Sequence, residues 1–244
     1  ALSLASRLVE EGASILDFGA CSTRPGSEDV GAEEEWRRLR PVLEAVRKEF
    51  PDLRISVDTY WSDVVERTFD AIGDFIVNDI SAGEDDPRML SVVGSLGLTY
   101  VAMHKRGTPA TMQSMTDYED VTSTVADYFA DFSIRAAQAG VSGWILDPGF
   151  GFAKNVEQNF ELLKGLDSIR ALDYPLLVGL SRKSMIYRTL GVTPAEALNG
   201  TTALNWEALR QGATILRVHD VKEAVEVVQL FEKMPNKGNK KACQ

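Results

Sequence analysis

The chain has 244 residues, 44% of them hydrophobic and 25% charged, enough to bury a sizeable core in one large domain or two small ones. Lys and Arg number 26 against 36 Asp and Glu, and the net charge of −10 argues against sequence-blind nucleic-acid binding while leaving room for an anionic small molecule in a locally basic pocket. No apolar run approaches a membrane span, no cationic segment leads an apolar one, and Cys21 and Cys243 lie too far apart for a disulfide framework, so a protein of the cytoplasm with free thiols is expected.

The first periodic stretch, 1–11, places Leu2, Leu4, Ala5 and Leu8 at helical spacing ahead of any strand. Short apolar runs at 15–18, 53–57, 75–77, 98–103, 144–146, 175–180 and 214–218 then read as strands. Stretches with apolar spacing near 3.6 fall between them, among them 33–50, 63–72, 122–139, 156–166 and 194–211. Such βα alternation requires a parallel, buried sheet. Roughly seven strands and eight helices approach the eightfold βα barrel, whose typical size is about 250 residues; a doubly wound open sheet is the alternative. A barrel opens with a strand, whereas a helix comes first in this sequence. The expected fold is therefore a (βα)8 TIM barrel whose first strand and loop are absent from the sequence, which would leave two unpaired strand edges. One barrel domain over 1–233 and a disordered polar tail over 234–244 complete the expectation.

Polar residues gather at the carboxyl ends of the expected strands, where parallel α/β folds bind ligands. In order they are Asp17 with Ser22-Thr23-Arg24-Pro25-Gly26, Asp58-Thr59, Asn78-Asp79, Met103-His104-Lys105, Asp147-Pro148-Gly149-Phe150-Gly151-Phe152, Ser181-Arg182-Lys183 and Arg217-Val218-His219-Asp220. Taken singly, Asp58, Asp79 and Asp220 read as helix caps. Convergence of all seven ends on one rim is harder to explain by capping. Asp58, Asn78 and Asp147 offer acceptors and an amide suited to the donor-rich edge of a guanidine-like heterocycle, or else form a buried polar network. Arg24, Arg217 and His219 suit a phosphate or diphosphate, or else Arg217 pairs with Asp17 or Asp220. The loop 22–31 reads as a flap, and the Gly-Phe-Gly-Phe loop brings backbone and aromatic faces toward a ligand. His104 reads as a core or capping histidine. Arg182 and Lys183, two cations opening a helix, run against its dipole. No HExxH, Gly-x-Ser-x-Gly, P-loop or Rossmann glycine signature occurs.

Together, Ser-Thr-Arg-Pro-Gly, Val-Asp-Thr, Asn-Asp-Ile, Asp-Pro-Gly-Phe-Gly-Phe, Gly-Leu-Ser-Arg-Lys-Ser and Arg-Val-His-Asp-Val resemble, in order and spacing over 9–221, the dihydropteroate synthases, folate-pathway enzymes targeted by sulfonamides. The resemblance implies a βα barrel, usually dimeric, that joins 6-hydroxymethyl-7,8-dihydropterin diphosphate to 4-aminobenzoate and releases diphosphate, with Mg²⁺ on the leaving group. It implies that Asp58, Asn78, Asp147 and Lys183 hold the pterin and that Arg217 and His219 bind diphosphate. Ser181 with Thr23, Arg24 and Pro25 would frame the aminobenzoate, and Phe152 and Met103 would line the pocket; Asp58, Asp147, Lys183, Arg217 and His219 form the expected catalytic set. Arg182 has no implied role and is expected to face outward. The sequence departs from the family at Cys21, and it lacks the family's opening Asn-Val-Thr-Pro-Asp-Ser-Phe-like loop, which contacts metal and diphosphate; starting at Ala1, it would bind pterin weakly and turn over slowly. A pterin-binding methyltransferase domain using methyltetrahydrofolate is a rival, disfavoured by Ser-Arg-Lys and Ser-Thr-Arg-Pro-Gly; a non-catalytic pterin-binding barrel is another.

Overall fold

A computed structural model of the chain describes residues 1–21, 30–107 and 111–234. In chain order the elements are α1 (Leu2–Glu10), β1 (Ile15–Gly19), α2 (Gly31–Glu49), β2 (Arg54–Asp58), α3 (Ser62–Ile72), β3 (Ile76–Asp79), α4 (Met89–Leu96), β4 (Thr99–Met103), α5 (Val121–Gln138) and β5 (Trp144–Asp147). They continue with α6 (Val156–Lys164), α7 (Leu166–Arg170), β6 (Leu177–Val178), α8 (Ser184–Leu190), α9 (Leu198–Arg210), β7 (Ile215–Leu216) and α10 (Val221–Lys233). Strands β1 to β5 pair in sequence order and in parallel, a bridge between Leu146 and Leu176 carries β5 to β6, and β6 pairs in parallel with β7. This is the TIM-barrel architecture the alternation implied, not an open doubly wound sheet. Among the described residues β1 pairs only with β2 and β7 only with β6.

Alternation along the strands divides the apolar side chains into two regions. Outward residues such as Val57, Val77, Tyr100 and Leu146 are buried against helix residues such as Leu43, Val46, Val64, Phe129 and Phe132. Each such side chain contributes about 1.5–3 kcal/mol on leaving water. Inward, Val101, Ile145 and Leu177, with Ile76 and Ile215 against them, form a separate layer that plugs the barrel. Position by position along the same inward faces, the next residues toward the carboxyl ends are Asn78, Met103, Asp147 and Arg217. The polar rim is thus the continuation of an apolar plug.

Two expected strands are shorter than their apolar runs. Pro175 has no N–H to give, and Thr214 Oγ1 accepts the Leu176 N–H at 2.9 Å, so a side chain replaces a ladder bond before β6 and β7. The expected helix 156–166 breaks at Gly165, which caps α6 and opens α7, and Thr122 packs where a Cβ at that position would stand. The expected helix 194–211 starts as a 3-10 turn, Pro194–Glu196, capped by Thr193, before α9. No described helix is long and apolar enough to cross a membrane. Of the expected tail only Met234 is described; Cys243 lies outside the described residues.

Gly94, in α4, lies so close to the end of α5 that an added Cβ would overlap the Ala139 carbonyl. Gly94→Ala should therefore lower stability by about 1–3 kcal/mol in urea unfolding despite its better helix propensity. A gain in stability would contradict this helix packing.

Candidate active site

Register builds the rim. Asp17 on β1 stands opposite Ser56 on β2, Asp58 opposite Asn78 on β3, and Met103 on β4 opposite Asp147 on β5. Ser56 Oγ donates to Asp17 Oδ1 at 2.7 Å, and Asn78 Nδ2 donates to Asp17 Oδ2 at 3.0 Å. Just past β7, Arg217 donates through Nη2 to Asp147 Oδ2 at 3.2 Å and lies 3.9 Å from Asp17 Oδ2. Burial works against the Arg217 charge, yet Asp147, Asp17 and Asp58 together keep its pKa above the ordinary value.

What the network leaves open points to a ligand. Asn78 is buried, and its Oδ1 has no partner among the described residues. Asp58 accepts no hydrogen bond from a described residue, and burial, followed by repulsion from Asp17, pushes its pKa from 3.8 up to about 7. Arg217 opposes that shift, while Glu35 and Asp79 add to it. The fold therefore presents a carboxyl group and an amide oxygen on neighbouring strands, with donors missing.

On the opposite side, Lys183 Nζ donates to the Phe150 carbonyl and stands 5.3 Å over the Phe152 ring. Burial, then Arg217, lowers the Lys183 pKa to about 8, and Asp147 resists. Of the two phenylalanines expected to face a ligand, only Phe152 is placed to do so: Phe150 is fully buried in the outer core. Met103 is buried at the same rim.

The segments carrying Ser181 and His219 are joined by two rungs. On the site side, Ser181 Oγ accepts the His219 N–H at 3.2 Å and lies 2.9 Å from His219 Nδ1. On the far side, Arg182 donates to Asp220 through Nε at 2.9 Å and Nη2 at 2.8 Å. Arg182 Nη1 also donates to the Pro194 and Ala195 carbonyls, and its N–H donates to Thr201 Oγ1. Arg182 points away from the site as expected, but it is not idle in solvent: its left-handed backbone, φ 56°, turns Ser181 and Lys183 inward while the guanidinium ties both loops together.

Asp58, Asn78, Met103, Asp147, Phe152, Ser181, Lys183, Arg217 and His219 thus share the carboxyl end of the barrel, whereas Thr23, Arg24 and Pro25 lie outside the described residues. Both readings of the acceptors hold in part, since a polar network exists and is incomplete. Arg217 takes Asp17 and not Asp220. Asp79 caps no helix: it accepts from the Ser81 and Gly83 N–H groups of the turn after β3 and from Tyr100 Oη at 2.5 Å, while α4 begins only at Met89. Asp58 caps nothing, and Asp220 makes no cap bond to α10. His104 is a buried histidine, 2% exposed. Asp17 stands at the rim as the sequence implied, and beyond its expected ion pair with Arg217 it gathers Ser56 and Asn78, partners set by its inward register.

Mg²⁺ finds no ligand set in this geometry. Among the described residues no three His, Cys, Asp or Glu side chains gather around one point, and Asp17 and Asp147 are already bonded within the rim.

Because its folded-state pKa is raised, Asp58 adds stability below pH about 4 that is lost as pH rises through about 7. Asp58→Asn should accordingly stabilise the ligand-free protein at pH 8 by roughly 1–3 kcal/mol, a gain that vanishes at pH 4. Urea unfolding at the two pH values checks this; equal stability at pH 8 would contradict the burial of an unpaired carboxylate.

Comparison with known proteins agrees with this geometry. The family described as pterin binding enzyme matches residues 1–219. Dihydropteroate synthase of Escherichia coli K12 is 43% identical over 234 residues, covering 95% of this chain and 82% of that protein. The crystal structure of Thermus thermophilus dihydropteroate synthase with 4-aminobenzoate superposes with a TM-score of 0.89 at 43% identity, over 96% of this chain and 90% of that one. The Yersinia pestis enzyme in a sulfonamide drug complex superposes at 0.90 with 39% identity, over 95% and 84%. With a rim of strand-end acceptors facing basic loops, and a match that spans all but the last helix, the chain belongs to the pterin-binding enzyme family.

Proposed function

We infer that the chain is a dihydropteroate synthase, a transferase that condenses 6-hydroxymethyl-7,8-dihydropterin diphosphate with 4-aminobenzoate to give 7,8-dihydropteroate and diphosphate. The observation that carries the reading is the pair of open acceptors, Asp58 and Asn78 Oδ1, on adjacent strands. A pterin edge rich in N–H groups satisfies both at once, and Lys183 has N–H groups left over for the ring carbonyl and nitrogen. The pterin-binding barrel occupies 1–233.

The chemistry follows from the charges. The C–O bond to diphosphate breaks first, and positive charge on the exocyclic carbon spreads into the dihydropterin ring. Asp58 and Asp147, on the inner faces of β2 and β5, stabilise that cation. Arg217 and His219 take up leaving-group charge, and Ser181 at His219 Nδ1 sets the imidazole orientation. The aniline nitrogen then forms the C–N bond and loses its proton to solvent or departing diphosphate. As a neutral nucleophile it needs positioning more than a general base, and Thr23, Arg24, Pro25 and Ser181 supply the frame. Phe152 and Met103 bound the pocket. Mg²⁺ would enter with the diphosphate and neutralise part of its charge, since the described rim residues offer it no ligand set. The homodimer in this reading rests on the resemblance to the family.

Diphosphate should be released over many turnovers when both substrates are present and by no more than about one equivalent per site when 4-aminobenzoate is omitted, as measured by a coupled diphosphate assay. Asp147→Asn should lose pterin affinity, and Arg217→Ala should lose turnover by about 10²-fold or more. Sustained multiple-turnover release without the amine, or full activity in both variants, would contradict the assignment.

A further inference from the structure

Lys154 follows the Gly-Phe-Gly-Phe segment, has no role in the chemistry above and is only 5% exposed. Its three N–H groups meet three acceptors: Nζ lies 3.0 Å from the Gly149 carbonyl, 3.0 Å from the Phe152 carbonyl and 3.1 Å from His104 Nδ1. His104 can only accept in that contact. Burial, then Lys154 and Arg106, push its pKa down to about 2, so the ring is neutral with its proton on Nε2. Tyr128, 5.0 Å away and edge-on, walls the ring from behind.

The loop held by this ammonium is one that needs holding. Gly149, Gly151 and Ala153 all have positive φ, at 70°, 83° and 49°. For alanine that conformation costs about 1 kcal/mol, and a Cβ at Gly149 would overlap the His104 carbonyl. The loop's N–H groups are pinned by Asp147 Oδ1 at Gly149 and by Asn159 Oδ1 at Gly151. Its carbonyls are pinned by two lysines: Lys183 from the site side at Phe150, Lys154 from behind at Gly149 and Phe152. We propose that Lys154 is a positioning residue for the pterin pocket, clamping the 149–152 loop to the end of β4 through His104 and so fixing Phe152, Asp147 and the Lys183 anchor in the geometry that receives the heterocycle. The inference rests on the pterin reading of that pocket.

The clamp works only while the amine is charged. Burial lowers the Lys154 pKa to about 7; Asp147 raises it, and Lys183 and Arg106 lower it further. The facing groups are thus Asp147 from β5, Lys183 ahead of α8, and His104 and Arg106 after β4.

The test compares wild type with Lys154→Met, an apolar side chain of similar length, using 6-hydroxymethyl-7,8-dihydropterin diphosphate and 4-aminobenzoate at pH 6.5. The expected result is a KM for the pterin diphosphate raised about tenfold or more, with the KM for 4-aminobenzoate within about twofold. Hydrogen exchange of the loop 149–153 in the unsubstituted protein, corrected for intrinsic rates, should quicken between about pH 6.5 and 8.5 as the ammonium is lost; this arm stands even if the variant fails to fold. An unchanged pterin KM in a folded variant, an equal rise in both KM values, or loop exchange flat across that range would overturn the inference. Absence of turnover in the wild type would overturn the synthase reading and this inference together.

Discussion

Parallel strands deliver Asp17, Asp58 and Asp147 to one end of the barrel, where, among the described residues, the guanidinium of Arg217 offsets their mutual repulsion. Parallel pairing in register makes that convergence unavoidable, since each inward position at a strand end faces the same mouth. Arg217 stands beside Asp147 and Asp17, and Asp58 is left as the carboxyl group that burial keeps partly protonated. Gly19 and Gly179 make room for this cluster, lying against Asp58 Cβ and the Arg217 guanidinium where a larger residue would press on both. A rim whose Asp58 carboxyl and Asn78 Oδ1 have no donor among the described residues favours a ligand that donates N–H groups and gains positive charge during reaction. Those are the properties of a dihydropterin losing diphosphate.

Around that cluster, rigidity comes from side chains tying loop to loop. Arg182 with Asp220 and Ser181 with His219 fasten the two loops on the anion side. Lys154, Lys183, Asn159 and Asp147 fasten the 149–152 loop on the pterin side. Charged groups do this work because short loops at left-handed backbone angles have few backbone partners of their own. The same arrangement costs stability at Asp58, as expected where a site keeps an acceptor unpaired for its ligand.

Much of this was legible in the sequence because strand-end chemistry is local. An apolar run ending in Asp58, Asn78 or Asp147 identifies both the strand and its functional end, and the βα alternation identifies the barrel. Relations across strands were not legible. The bonds of Asp17 to Ser56 and Asn78 depend on strand register, and Lys154 is silent until His104 and two carbonyls fold around it. Arg182 faces outward as the sequence implied, but its tie to Asp220 was not legible, because it depends on a positive φ and on an aspartate 38 positions away. Phe150 and Phe152 are identical in sequence terms, yet the turn at Gly151 sends one into the core and the other to the pocket. The strands β6 and β7 came out short because Pro175 and Thr214 interrupt a ladder that apolar composition alone would have continued.

Proton release on pterin binding tests most directly whether Asp58 is the open acceptor that the heterocycle completes. Calorimetric titration of 6-hydroxymethyl-7,8-dihydropterin diphosphate at pH 6.5, in buffers of different ionisation enthalpy, reads it without turnover. Asp58 is largely protonated in the free protein at that pH and ionises to accept the pterin N–H groups, so a net fraction of a proton should be released and the release should disappear in Asp58→Asn. Binding with no proton release, or with the same release in Asp58→Asn, would contradict the account.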